Sequence, residues 1–213
     1  MKKSIQISRT AHYYYQKPEL EVDKVLFILH GYAQLASDFI QEFEFLKSTS
    51  ILVVAPEAIS KFYNKKHQPV ANWMTSHKRE DEIKDYVNYL NSVERNIFKE
   101  FGTKEKLVLG YSQGVSTLFR WLIHSNYKAS QIYACSGSIP PELTTDDTKA
   151  FQKSRINYYY GDNDGLLSVK AAIKQIDFLN SLLLDVNAVP FKGRHEISDI
   201  TKSDISKQLI KAT

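Results

Sequence analysis

The sequence predicts an α/β protein with a mostly parallel central sheet and helices on both faces. Short apolar runs typical of buried strands alternate along the chain with segments of helical periodicity. The run Lys24-Val25-Leu26-Phe27-Ile28-Leu29 is continuously apolar after its lysine. Such a run without polar alternation indicates a strand buried on both faces of a parallel sheet.

The remaining elements are predicted from the same patterns in chain order. An antiparallel edge hairpin is predicted over residues 5–15. Core strands are predicted at residues 25–29, 51–55, 107–109, 132–135, 156–160 and 186–191. Apolar residues recur at three- and four-residue steps from Ile83 to Phe101, which predicts a long helix packed on the sheet. Further helices are predicted over residues 115–124, 168–184 and 197–212.

Composition limits the functional classes. A chain of 213 residues with 43% hydrophobic residues and no linker fits one domain, residues 1–213. The net charge of +4 is modest and the lysines are spread along the chain, so we expect no nucleic-acid partner. The single cysteine, Cys135, excludes an internal disulfide. No stretch approaches the roughly 20 apolar residues of a membrane span, and no signal peptide is recognised, so we expect a cytoplasmic protein.

Residues 106–115 carry the most informative motif, Gly110-Tyr111-Ser112-Gln113-Gly114, between a predicted strand and a predicted helix. In this setting Gly-x-Ser-x-Gly predicts a nucleophile elbow, where the glycines permit close backbone approach. An ordinary serine hydroxyl is a weak nucleophile, so it needs a general base and an anion-stabilising site nearby. Ser112 is therefore the predicted nucleophile.

Candidate partners for Ser112 follow two later strands. The acidic loop Gly161-Asp162-Asn163-Asp164-Gly165 closes the strand predicted at residues 156–160, and His195 follows the strand predicted at residues 186–191. The chain order Ser, Asp, His is that of α/β-hydrolase triads. His195 is the predicted base, and the acid is either Asp164 or Asp162.

His30-Gly31-Tyr32 closes the first buried strand. A glycine there frees the backbone, so that the N–H groups of Tyr32 and Gln113 are predicted to form an oxyanion hole. We interpret His30 as a structural residue that ties loops together by hydrogen bonds.

Together these segments resemble the phospholipase/carboxylesterase branch of the α/β-hydrolases, which includes acyl-protein thioesterases and small bacterial carboxylesterases. The matching segments are His30-Gly31-Tyr32, Gly110-Tyr111-Ser112-Gln113-Gly114, Ser136-Gly137-Ser138-Ile139-Pro140, Gly161-x-x-Asp164 and Gly193-x-His195-Glu196-Ile197. The resemblance implies the α/β-hydrolase fold, with Ser112 as nucleophile, Asp164 as acid and His195 as base.

Two segments depart from the family pattern. Tyr160 stands where family members usually have His, and Gly165 where they have Pro or an aliphatic residue, so Asp162 stays an alternative acid. Residues 33–38 replace the Gly-rich tail of the family's first loop, so the shape of the substrate pocket is not carried over.

We expect a serine carboxylesterase that cleaves esters of short or medium acyl chains through an acyl-enzyme on Ser112, without metal or organic cofactor. A thioesterase or lysophospholipase would use the same triad, and a serine peptidase or a catalytically silent binding module on this fold are further alternatives.

Only 17 residues separate Gly137 from Arg155, too few for a helical lid, so the site is predicted to be open. Trp73 and Met74, in the long connection at residues 57–78, are predicted to wall the pocket for a small-molecule ester or thioester. The protein is expected to be a monomer or homodimer.

Overall fold

The computed structural model describes residues 3–210 and contains two β-sheets in that range. The strands are β1 (Tyr13–Gln16), β2 (Lys24–Leu29), β3 (Ile51–Pro56), β4 (Ser60–Tyr63), β5 (Pro69–Asn72), β6 (Glu105–Tyr111), β7 (Ala129–Cys135), β8 (Arg155–Gly161) and β9 (Val186–Phe191). The main sheet has the order β1-β3-β2-β6-β7-β8-β9. Only β1 runs antiparallel to its neighbour within this described sheet.

Helices cover both faces of the main sheet. They are α1 (Ala36–Phe39), continued by the 3₁₀ segment Ile40–Leu46, α2 (Arg79–Phe101), α3 (Gln113–His124), α4 (Val169–Ser181) and α5 (Asp199–Ile210). One apolar cluster joins α2, α3 and α4 to one face of the sheet. A second cluster joins α1, the 3₁₀ segment and α5 to the other face. This architecture confirms the predicted α/β-hydrolase fold.

The central strand β2 shows why its sequence is continuously apolar. Val25, Phe27 and Leu29 belong to the first cluster, whereas Leu26 and Ile28 belong to the second. All five side chains are fully buried. Because alternate residues of a strand face opposite sides of the sheet, a strand covered on both sides has no polar face.

The N-terminal edge differs from the prediction. Residues 3–12 form no strand, so the hairpin predicted over residues 5–15 is wrong. Only β1 forms, and it pairs antiparallel with β3, with Tyr15 opposite Val54. Ile5 and Ile7 have the alternation of a strand, but both side chains are exposed, so no burial of apolar surface holds this segment on the sheet. The end of the last predicted helix, at residue 212, lies outside the described residues.

The connections also bear on the site. The long connection at residues 57–78 contains an antiparallel ribbon of β4 and β5, for which the sequence pattern predicted no strands. An isolated bridge joins this ribbon, at Ala71, to Gln34. Between β7 and β8 the chain forms only the short 3₁₀ segment Asp146–Ala150, and no lid domain is present among the described residues. None of the described helices is both long enough and apolar enough to cross a bilayer.

Helix α4 ends in a turn in which a leucine, Leu183, adopts a backbone conformation that favours glycine. Leu183 adopts a left-handed φ of 61°. The Leu184 N–H reaches back to the carbonyl of Leu179 at 3.2 Å, the bond of a Schellman motif. The Leu183 side chain is 92% exposed, so it gains little from packing.

We therefore expect Leu183→Gly to raise the free energy of unfolding by about 0.5–1 kcal/mol, because glycine adopts the left-handed conformation without the Cβ strain. Urea unfolding would measure this change. Leu20→Gly, at another exposed leucine that lacks a positive φ, serves as the control and should bring no gain. A less stable Leu183→Gly variant would contradict the assignment of strain.

Candidate active site

Ser112 lies at the sharp junction between β6 and α3. Its backbone has φ 53° and ψ −117°, a conformation that non-glycine residues seldom adopt. The junction is so tight that its flanking glycines, Gly110 and Gly114, have no room for a side chain. A Cβ on Gly114 would lie 2.1 Å from the Leu29 carbonyl oxygen, and one on Gly110 would lie 2.5 Å from the Gly114 oxygen. The Ser112 side chain does not cap α3, so its hydroxyl is available to other partners.

The hydroxyl of Ser112 meets His195 and Asp164 in one chain of hydrogen bonds. The Ser112 Oγ lies 2.9 Å from His195 Nε2. The other ring nitrogen, Nδ1, lies 2.8 Å from Asp164 Oδ2. Because a carboxylate can only accept, Nδ1 carries the proton and Nε2 is left to accept from the Ser112 hydroxyl. This is the tautomer that a general base requires.

Asp164 is held in its ionised form by its surroundings. Its side chain is fully buried, and its Oδ1 accepts hydrogen bonds from the amides of Leu166 at 2.8 Å and Leu167 at 2.9 Å. Burial raises the pKa of the Asp164 carboxyl, but the hydrogen bonds from His195 and the two amides outweigh it and lower the pKa below its usual value.

The structure places Asp162, the alternative acid, elsewhere. Asp162 is exposed, and its Oδ1 accepts from the Gly193 amide at 3.1 Å. It therefore supports the loop that carries His195 and does not contact the His195 ring.

Tyr111 also holds the His195 loop, a contact that no sequence pattern indicates. Its hydroxyl donates to the His195 carbonyl oxygen at 2.7 Å. Burial raises the pKa of Tyr111 to about 12, so the hydroxyl remains a donor at neutral pH. Tyr111 occupies the variable position of Gly-x-Ser-x-Gly, where the motif itself specifies no residue type.

The two amides expected to form the oxyanion hole are free of protein acceptors. Neither the Tyr32 N–H nor the Gln113 N–H is hydrogen-bonded to another described residue. The loop of Tyr32 lies against the elbow, since a Cβ on Gly31 would be 3.2 Å from the Ser112 Cβ. Unpaired donors beside the candidate nucleophile are what a developing oxyanion needs.

His30 orients the peptide that carries the Tyr32 amide. The Ala58 N–H donates to His30 Nε2 at 3.1 Å, so His30 Nδ1 bears the proton and donates to the Gly31 carbonyl at 2.7 Å. The Gly31 carbonyl and the Tyr32 N–H belong to one trans peptide and point in opposite directions. Fixing the carbonyl on one side therefore directs the Tyr32 N–H to the other.

The Gln113 side chain ties residues 72–74 to the elbow. Its Oε1 accepts from the Trp73 amide at 3.1 Å. Its Nε2 donates to Asn72 Oδ1 at 2.7 Å and to the Met74 carbonyl at 2.9 Å. The residue after the candidate nucleophile thus contributes a backbone donor to the site and a side-chain clamp to the neighbouring loop.

Trp73 lies in the core and does not wall a pocket, which corrects the sequence-based prediction. Its side chain is 1% exposed, and its indole N–H donates to the His30 carbonyl at 2.9 Å. The indole also lies against the His30 ring, with centroids 5.0 Å apart. Its apolar surface is therefore used in supporting His30. Met74 is half-buried and its sulfur lies 3.5 Å from Arg120 Nη1, so part of its side chain remains accessible.

The chain belongs to the phospholipase/carboxylesterase family, whose model matches residues 11–212. The fold is shared with Zea mays acyl-protein thioesterase 2 (15% identity, 94% of this chain and 98% of that one, TM-score 0.75). It is also shared with esterase PE8 (17% identity, 96% and 100%, TM-score 0.74) and a Bacillus cereus carboxylesterase (16%, 95% of each chain, TM-score 0.68). No curated protein matches the chain by sequence. At these identities the solved structures show a common fold, and the family indicates hydrolysis of ester-type bonds.

The buried His30 makes stability depend on pH. Burial lowers the pKa of His30 from 6.5 to about 4. Between these values the unfolded chain binds a proton that the folded one excludes, so stability falls as the pH drops through this window.

We expect His30 to account for a loss of about 3 kcal/mol between pH 7 and pH 4. His30→Gln keeps a donor and an acceptor but does not titrate, so its unfolding free energy should fall less over the same range. Urea unfolding of both proteins at several pH values measures the difference. Parallel pH curves for the two proteins would contradict a neutral, buried His30.

Proposed function

We propose that the protein is a serine carboxylesterase in which Ser112, His195 and Asp164 form the catalytic triad. The observation that carries this proposal is the continuous hydrogen-bond chain from the Ser112 hydroxyl through the His195 ring to the buried Asp164 carboxylate. The unpaired amides of Tyr32 and Gln113 next to the elbow support the same chemistry, as does membership of an ester-hydrolase family.

The first half of the proposed reaction forms an acyl-enzyme. The Ser112 Oγ attacks the ester carbonyl carbon while its proton passes to His195 Nε2. The carbonyl oxygen becomes an oxyanion and accepts hydrogen bonds from the Tyr32 and Gln113 amides. Asp164 stabilises the imidazolium that forms and keeps the ring in place. The alcohol then leaves with the proton from Nε2, and the acyl group remains on Ser112.

The second half repeats the same steps with water. His195 Nε2 removes a proton from a water molecule, whose oxygen attacks the acyl carbon, and collapse of the second oxyanion returns the proton to Ser112. The carboxylic acid departs and the enzyme is restored. Every step uses groups of this chain, so the proposed mechanism requires no cofactor.

We propose a small-molecule substrate with a short or medium acyl chain. The site has no lid among the described residues, and Met74 beside Gln113 is a candidate contact for the acyl group. A thioester would react at the same atoms, so thioesterase activity is the second candidate. We propose that residues 1–213 act as one domain in the cytoplasm, as a monomer or homodimer without a nucleic-acid partner.

Ser112→Ala should lower kcat/KM on p-nitrophenyl esters by at least about 10⁴-fold, because the variant retains the oxyanion donors but has no nucleophile. A series from acetate to palmitate, with a matched acyl thioester, would test the chemistry and measure the chain-length preference. Ser116→Ala removes a hydroxyl one helical turn further along α3 and serves as the control, which should stay within a few-fold of wild type.

Fluorophosphonate labelling distinguishes the alternatives. Wild type and Ser116→Ala should be labelled, and Ser112→Ala should not. Wild-type protein that is neither labelled nor active on any ester would favour a silent binding module. Faster cleavage of peptide anilides than of esters would favour a peptidase.

The acid can be tested by a matched pair of substitutions. Asp164→Asn should lower kcat by about 10⁴-fold, because the amide stabilises the wrong His195 tautomer and cannot stabilise the imidazolium. Asp162→Asn keeps an oxygen that accepts from the Gly193 amide and should remain near wild type. Steady-state kinetics on p-nitrophenyl butyrate gives both values. Equal losses in the two variants would reject Asp164 as the triad acid.

A further inference from the structure

A polar cleft of about 530 Å³ opens beside His195, between the loop at residues 192–198, the start of α5 and the 3₁₀ segment after α1. Its lining includes Phe39 and Tyr111, which are both buried and whose rings stack with centroids 6.0 Å apart. Besides His195, the polar side chains around it are Gln34, Glu42, Lys192, Glu196, Ser198, Asp199 and Lys202, and Ile197 and Ile200 add apolar surface. The cleft therefore combines a small aromatic wall with a hydrogen-bonding rim.

The position of the cleft indicates which part of an ester it would hold. In the proposed mechanism His195 Nε2 delivers a proton to the departing oxygen, so the alcohol part of the substrate must lie against the His195 ring. His195 and its neighbour Glu196 both line this cleft. It is thus placed to receive the leaving group, and this argument rests on the proposed function.

The charges of the lining do not favour an ionic leaving group. Lys202 Nζ lies 2.5 Å from Glu42 Oε2, so these two charges compensate each other. The remaining lysine, Lys192, lines the same cleft as the two acidic residues Glu196 and Asp199. No excess positive charge is left for a phosphate, and the acidic side chains are exposed, where water and salt screen them.

Gln34 supplies a neutral polar group to the cleft, next to the loop that adjoins the elbow. Its Oε1 accepts from the Gly31 amide at 2.7 Å, which leaves the two donors of Nε2 unused. No described residue accepts from Nε2. The side chain is half-buried, and its Oε1 would lie 3.0 Å from a Cβ on Gly31, the residue that adjoins Ser112. An unpaired, partly desolvated donor in this place favours a ligand with a hydroxyl oxygen.

A second cleft of about 530 Å³ continues from the first. The two share Gln34, Phe39 and Glu42, and the second extends to Asn64 and Gln68 at the turn between β4 and β5. Polar side chains therefore continue past Gln34, among apolar ones such as Leu35 and Val70, which suits a leaving group with several hydroxyl groups on a carbon skeleton.

We infer that the cleft beside His195 binds the alcohol part of an ester of an uncharged polyhydroxy compound, such as a polyol or a sugar, with Gln34 Nε2 donating to one of its oxygens. The natural substrate class is then a short- or medium-chain acyl ester of a polyhydroxy alcohol. An ester of a long apolar alcohol would leave the Gln34 donor and the polar rim unpaired.

The test compares butyryl esters that differ only in the alcohol: glycerol, methyl glucoside, hexanol, choline and glycerol 3-phosphate. Each kcat/KM is divided by the rate constant for hydroxide hydrolysis of the same ester, which removes differences in intrinsic reactivity. We expect the glycerol and glucoside esters to exceed the other three by about tenfold, the equivalent of one or two hydrogen bonds.

Gln34→Met tests the contact directly, because methionine has a similar length but no hydrogen-bonding amide. The preference for glycerol ester over hexyl ester should fall about tenfold, chiefly through a higher KM for the glycerol ester. Any disturbance of the Tyr32 loop acts on the oxyanion common to both esters and cancels in this ratio. Gln41→Met, at an exposed glutamine that lines neither cleft, is the matched control and should keep the wild-type ratio.

A second measurement needs no variant. With p-nitrophenyl butyrate as donor, an equimolar mixture of methyl glucoside and hexanol competes for the acyl-enzyme. The accepting hydroxyl gives its proton to His195 and its oxygen forms the new ester bond, and the bond to Ser112 breaks as Ser112 Oγ takes that proton back from His195. More butyryl glucoside than hexyl butyrate is expected from a polar leaving-group site.

The outcomes separate this inference from the proposed function. Ser112-dependent hydrolysis without a polyol preference, or with a preference for choline or phosphate esters, would overturn the polyhydroxy assignment alone. An unchanged ratio in Gln34→Met would overturn the role of Gln34. Absence of hydrolysis of every ester, including p-nitrophenyl butyrate, would overturn the proposed function and this inference with it.

Discussion

The contact between the elbow and the end of β2 is the constraint on which the site depends. The Cα of Gly114 lies so near the Leu29 carbonyl that a Cβ there would come within 2.1 Å of its oxygen. This approach brings the start of α3 against the residues that follow β2, so the Gln113 and Tyr32 amides lie near Ser112. The parallel register of β2 and β6, with Leu29 opposite Gly110, fixes the two strand ends at the same edge.

Around this contact, buried and half-buried polar groups hold the loops in one arrangement. His30 joins the Gly31 carbonyl to the Ala58 amide, Trp73 closes over His30, and Gln113 clamps residues 72–74. Each of these groups is costly to bury without a partner, so a rearranged loop would leave donors and acceptors unpaired. Because other loop arrangements are costly, the Tyr32 and Gln113 amides are held in place before any substrate binds. Electrostatic catalysis depends on such preorganised donors.

The surroundings of each titratable group at the site decide whether its pKa rises or falls. Asp164 is buried but accepts three hydrogen bonds, and its pKa falls, which suits a group that remains an anion beside His195. Cys135 is equally buried at the end of the neighbouring strand, but burial raises the pKa of its thiol because no charge or hydrogen bond compensates. A buried thiol of this kind stays protonated and is no rival to Ser112 as nucleophile.

The sequence by itself determined the fold class, the elbow, and the order of Ser112, an acidic residue and His195, because periodicity and short motifs are local. The turn pattern alone did not distinguish Asp164 from Asp162, and only the family resemblance favoured Asp164, because both residues stand in one turn and differ in how their side chains meet the His195 loop. The sequence also misplaced Trp73, because an aromatic residue in a long connection gives no sign of whether it faces a pocket or the core. The bridge from the β4–β5 ribbon to Gln34, the Tyr111 contact and the cleft beside Gln34 depend on residues far apart in the chain. Only the packing of α1, α5 and the loops over one edge of the sheet brings them together, so the tertiary structure decided them.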